Sequence, residues 1–198
     1  MLGHEGVVRA LTVRLRERLP QMVAQLRAEL QVDLPGLPDI PPEQIHPSEV
    51  DAVSKGYFPV FMVSQDGTGL QQSTRQVDVF ADHDEYEFRY RCRIVFYATG
   101  DSPERTEVQR KRLLLALRQT VLSDRILYDE GGEHAYIDHG YMREQFSELA
   151  QDGTGKLLAG AYLEIEIVTN EILRHNMGGP RAVFDVSAKA IQDSPAPI

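Results

Sequence analysis

Residues 85–98, EYEFRYRCRIVFYA, alternate between two chemistries. Tyr86, Phe88, Tyr90, Cys92, Ile94 and Phe96 take the even positions, while Arg89, Arg91 and Arg93 take odd ones. Side chains two apart on a strand project to the same side. The stretch therefore reads as a long β-strand with one apolar face, and its three guanidinium heads stand in a row about 7 Å apart on the other. Such a row must be neutralised or used. A matching pattern comes late in the chain, where GAYLEIEIVTNEIL (160–173) sets Leu163, Ile165 and Ile167 against Glu164 and Glu166. If the two strands pair, opposite charges face each other, each pair contributing about 0.2–1 kcal/mol and helping to hold the register. Arg89, Arg91, Arg93, Glu164 and Glu166 are thus expected at a strand pairing or a subunit interface, with Arg91 in ion-pair reach of Glu164 or Glu166.

The remaining pattern is mixed. Val8, Leu11, Leu15, Leu19, Met22, Leu26 and Leu30 recur at helical spacing, predicting one kinked helix across Pro20 or two abutting helices. PERTEVQRKRLLLALRQTVLSD (103–124) predicts a second, with Ser102 as cap, Pro103 at its first position, and Val108, Leu115 and Leu122 repeating every seventh residue. Leu114, Leu117 and Val121 widen its apolar face. GYFPVFMVS (56–64) predicts a short strand pushed toward an edge by Pro59, RQVDVFA (75–81) a further strand, DHDE (82–85) a turn, and YMREQFSELA (141–150) a short helix. Between helix and sheet, residues 32–56 hold Pro35, Pro38, Pro41, Pro42 and Pro47. That segment is expected to be an extended arm reaching a neighbour or a solvated linker, with Pro41 and Pro42 at a subunit interface. The fold class is α+β: a mostly antiparallel sheet packed on one face by two main helices. At 198 residues this amounts to a single domain over 1–175 and a C-terminal extension over 176–198.

Candidate chemistry is thin. QDGTG occurs at 65–69 and again at 151–155, but neither copy has the lysine and Ser/Thr of a phosphate loop or the carboxylate spacing of an acid protease, so both are expected to be turns. Asp82, His83, Asp84, His134, Asp138 and His139 are metal-binding types without a ligand spacing, so neither a metal nor a cofactor is expected. Cys92 is the sole cysteine and falls on the apolar side, with no paired histidine and no nucleophile elbow. A non-catalytic protein is the expectation. Its 30 acidic against 21 basic residues give a formal net charge of −9, which argues against wrapping nucleic acid. Stacking of bases on Tyr86, Tyr90 and Phe96 fails because those rings share a strand with the arginines but not a face. Without a long apolar run, the chain is expected to be neither exported nor anchored in a membrane.

The order of elements carries a resemblance. An amphipathic helix, an extended loop, strands, the long strand RYRCRIVFYATG, the helix ERTEVQRKRLLLALRQTVL and the closing strand AYLEIEIVTNEIL resemble the tail terminator family of long-tailed bacteriophages over about 57–173. The resemblance implies a structural virion protein of the neck, assembled in the host cytoplasm. Six copies would close into a homohexameric ring on the head-proximal end of the tail, touching the tail tube protein on one side and the head connector or stopper on the other. DNA would pass through the lumen without specific recognition, and an acidic balance suits such a passage. The alternatives are another neck or minor tail component, such as a connector stopper or adaptor, and a metal-dependent enzyme.

Overall fold

A computed structural model describes residues 3–49, 57–71, 83–128, 134–151 and 157–174. Two helices and six strands build it: α1 (Gly3–Leu30), β1 (Ile45–His46), β2 (Val60–Gln71), β3 (His83–Gly100), α2 (Pro103–Ser123), β4 (Ile126–Tyr128), β5 (His134–Gln151) and β6 (Leu157–Arg174). The strands form one mixed sheet in the order β1-β2-β3-β6-β5-β4. Only β1 and β2 run parallel; every other neighbouring pair is antiparallel. The fold is α+β.

Burial on one face of the sheet organises the rest. Tyr90, Cys92, Ile94, Phe96 and Ala98 of β3 join Leu163, Ile165 and Ile167 of β6, Phe61 and Val63 of β2, and Ala135 and Ile137 of β5 in one apolar cluster. Both helices lie on that cluster. α1 runs unbroken through Pro20 and buries Val7, Leu11, Leu15, Leu19, Val23 and Leu26, a stripe turned slightly from the expected one, since Val8 and Met22 are only partly covered and Leu30 is 44% exposed. α2 begins as its sequence dictates, the Ser102 hydroxyl accepting the Arg105 N–H at 3.3 Å with Pro103 behind it. Its buried face is Leu113, Ala116, Leu117, Thr120 and Val121. Val108 and Leu122 are exposed, so the seven-residue repeat marks the flank of the helix and the 113–117–121 row its centre. The passage from β3 into α2 is tight: a Cβ on Gly100 would stand 3.0 Å from the Thr106 backbone nitrogen.

Four expectations change. YMREQFSELA is the second half of β5, not a helix. The first QDGTG is not a turn but lies inside β2, where the register shifts between Gln65 and Gly67. His83, Asp84 and Glu85 continue β3 instead of turning. Residues 32–49 form neither a free arm nor a solvated linker, because Leu37, Ile40 and Ile45 are buried in the core and guanidinium groups grip their carbonyls. Arg27 donates to the Leu37 carbonyl at 2.8 Å, Arg16 to that of Ile45 at 2.7 Å, and Arg112 to that of Gly36 at 3.0 Å. Pro41, half-buried, and Pro42, exposed, open a short 3-10 turn, Pro42–Gln44, on this segment. The expected strand 75–81, the second QDGTG after Gln151 and the extension 176–198 lie outside the described residues.

Among the described residues, both edges of the sheet are long and carry only short partner strands. β1 covers only Phe61 and Met62 of β2, and β4 covers only His134, Ala135 and Tyr136 of β5. Among the described residues, the outer sides of β2 beyond Met62 and of β5 from Met142 to Gln151 therefore have no strand partner.

Candidate functional site

The face of the sheet opposite the helices is where the arginine row lies. β3 and β6 pair in register from end to end, so Arg91 stands opposite Glu166 and Arg93 opposite Glu164, while Arg89 meets Val168. Arg91 Nη2 lies 3.6 Å from Glu166 Oε1, and its Nε 4.0 Å from Glu164 Oε1. Arg93 reaches Glu164 at 3.2 Å. Arg89 reaches past its neighbour to Asp138 of β5 at 2.7 Å, with Glu166 and Glu87 each at 3.4 Å. All five residues singled out by alternation, Arg89, Arg91, Arg93, Glu164 and Glu166, thus belong to one network.

Four members of the network are not evident from the alternation. Asp66 pairs with Arg93 from the bulge in β2, which turns its carboxylate onto this face. Asp138 accepts the Gly140 N–H at 2.8 Å and the Arg89 guanidinium, and both hold its carboxyl below the usual range. Tyr141 donates its hydroxyl to Glu164; this bond first, then Arg93, pulls the glutamate's pKa down. Tyr162 lies under Arg93, whose guanidinium carbon is 4.6 Å from the ring centroid, and Tyr141 lies 5.0 Å from that of Arg91. A glycine inside a strand often marks a bulge, so the adjacent Asp66 and Gly67 are the clue to the first of these; tyrosines on other strands leave no such trace.

In one row across this face charge alternates in sign: Asp66, reaching in from the bulge in β2 beside Ser64, Arg93 on β3, Glu164 on β6 and Arg143 on β5. In the next row Glu166 and Asp138 face each other, and Arg91 and Arg89 offset them. Asp66, Arg93 and Glu164 are linked by the ion pairs just described. Arg143 packs over Tyr141, 5.2 Å from its centroid, and no carboxylate lies within ion-pair distance of it among the described residues.

Away from this face, two buried ionisable groups tie elements of the fold together. Glu171 is buried and accepts from Tyr90, from Thr169 at 3.0 Å and from the Gly3 amide at 3.2 Å, tying the start of α1 to the sheet. Arg110, also buried, pairs with Glu107, donates to the Ser147 and Gly160 carbonyls, and covers Phe146. Burial pushes the Cys92 thiol up to about 12, far from a nucleophile's range. Among the described residues no group of three or more His, Cys, Asp or Glu could hold a metal ion. No helix among them is long and apolar enough to cross a membrane.

No protein-family model matches the chain, and no curated protein matches it in sequence.

Proposed function

We propose that this chain is a non-catalytic, ring-forming component of a tailed-phage neck, acting as a tail terminator that closes the head-proximal end of the tail tube and meets the head connector. The observation that carries the reading is the architecture itself: a mostly antiparallel sheet with both helices on one face, a second face whose charges are largely paired, and, among the described residues, an incompletely paired edge on either side. Most charged side chains on the second face are paired with one another. Five carboxylates, Asp66, Glu87, Asp138, Glu164 and Glu166, accompany Arg89, Arg91, Arg93 and Arg143 there. A ring that turned this face inward would offer passing DNA no cationic track to hold it.

The order of helix, loop, strands, helix and closing strand supports the same assignment, as does the distribution of buried ionisable groups, which serve packing rather than bond-making. The test is location. Labelling the chain on purified particles of the phage that encodes it, followed by electron microscopy, is expected to give a ring of density at the head–tail junction. Label at another axial position would make it a different neck or tail component, and absence from purified virions would overturn the proposal.

A further inference from the structure

We infer that copies of this chain join edge to edge, the outer side of β5 between Met142 and Phe146 in one copy adding antiparallel to the outer side of β2 between Val63 and Gly67 in the next. The inference rests on the ring reading above and supplies its joint. Bare strand edges present unpaired backbone donors and acceptors, and natural proteins cover, blunt or pair them. Among the described residues this sheet carries two, and their directions match. β2, β3, β6 and β5 alternate in direction across the sheet, so β5 runs opposite to β2. If the next copy keeps its helices on the same side, its β2 meets this β5 antiparallel, like the pairs within the sheet. The contact is head to tail and repeats, so it builds a ring when the rotation closes.

Charge selects this pairing over the two symmetric ones. The transverse row reads negative, positive, negative, positive from Asp66 to Arg143, and its last member lacks a carboxylate among the described residues. The Asp66 of a following copy continues the alternation. Pairing β5 with β5 would bring Arg143 toward its own copy, and β2 with β2 would do the same to Asp66; like charges opposite one another are unfavourable. The apolar side of the same edge is only partly covered by the described residues, with Phe146 at 44% exposure on the helix face of β5. A neighbouring β2 would shelter Phe146, which this register sets opposite Val63.

Cross-linking of the full chain tests the joint directly. Cys92 is buried, so engineered thiols dominate the reaction. Under mild oxidation, a chain carrying both Asp66→Cys and Arg143→Cys is expected to give a non-reducing gel ladder climbing past the dimer, whereas each single variant stays monomeric. Arg143→Cys alone giving dimers would mean β5 pairs with itself, and an absent ladder would mean the edges do not meet; either overturns the inference. Because a disulfide can fail for geometric reasons, light scattering of charge variants provides a second readout. Arg143→Glu and Asp66→Arg should each weaken self-association by about tenfold or more, and mixing the two should restore it. Unchanged association, no restoration, or a wild-type chain that stays monomeric at about 0.1 mM would each refute the joint. A ladder without label at the head–tail junction leaves the joint and removes the phage assignment; label there without a ladder does the reverse.

Discussion

Arg91 and Glu166 face each other directly across β3 and β6, with Nη2 3.6 Å from Oε1. The register selects Glu166 as the cross-strand partner and leaves Glu164 as a diagonal contact at 4.0 Å. Arg91 is half-exposed, its side chain at 48%, so the pair contributes only about 0.2–1 kcal/mol. Arg91→Glu is expected to lower the unfolding free energy by about 1 kcal/mol, and adding Glu166→Arg should recover most of the loss. A double-mutant cycle by urea titration checks this. Equal recovery from Glu164→Arg would mean that proximity to the whole acidic strand matters more than register.

Arg110 fastens the outer half of β5. Its guanidinium is buried against Glu107, the Ser147 and Gly160 carbonyls and the Phe146 ring. Arg110→Ala is expected to cost about 3–5 kcal/mol, because several polar groups lose their partner together. Hydrogen exchange should rise first in peptides covering 143–151, while the centre of β3 stays protected. Uniform loss of protection along the sheet would contradict a local fastening.

Acid should weaken the fold through this charged face. Glu164 is held below its ordinary pKa by Tyr141 and Arg93, Asp138 by the Gly140 amide and Arg89, and, on the helix side, Asp124 by Arg14 of α1. In the unfolded chain such groups titrate near about 4. For a carboxylate, a depressed folded value gives stability that is complete above the unfolded pKa and lost as pH falls through the folded one. The melting temperature is therefore expected to fall below about pH 4, after a smaller decline below about pH 6.5, where His139, its pKa lowered by burial and Arg125, must take up a proton to unfold. Glu164→Gln should melt lower at pH 7 and show a shallower acid decline; parallel profiles would remove Glu164 from the transition.

Cys92 should be silent to thiol reagents in the folded protein. It has no exposed surface, and burial raises its pKa to about 12. Ellman's reagent at pH 8 is expected to titrate it only after denaturant is added, on the timescale of unfolding. Immediate labelling under native conditions would show that the sheet opens locally around β3.

Strand alternation carries most of the fold in readable form. β3 and β6 announce themselves because their mutual pairing has no bulge to interrupt its two-residue period, and α2 because Ser102 and Pro103 punctuate its start. β5 hides for the opposite reason. Its register shifts between Asp138 and Met142 and again between Phe146 and Leu149, so Met142, Phe146 and Leu149 face the helices at spacings of four and three, which imitate an amphipathic helix. The charged face is legible along β3 and β6 and dark on their neighbours, since Asp66 reaches it through a bulge and Tyr141 through a shifted register. Neither leaves a period in the sequence.

The grip of Arg16, Arg27 and Arg112 on the proline-bearing segment is mainly by backbone oxygens, which every amino acid supplies, with Asp39 adding a carboxylate to Arg27. Most exposed side chains of that stretch are consequently free to drift over evolutionary time, while the three arginines, Asp33, Asp39 and the buried Leu37, Ile40 and Ile45 are not. Variation there would change what the outer surface displays to its surroundings without disturbing the scaffold beneath.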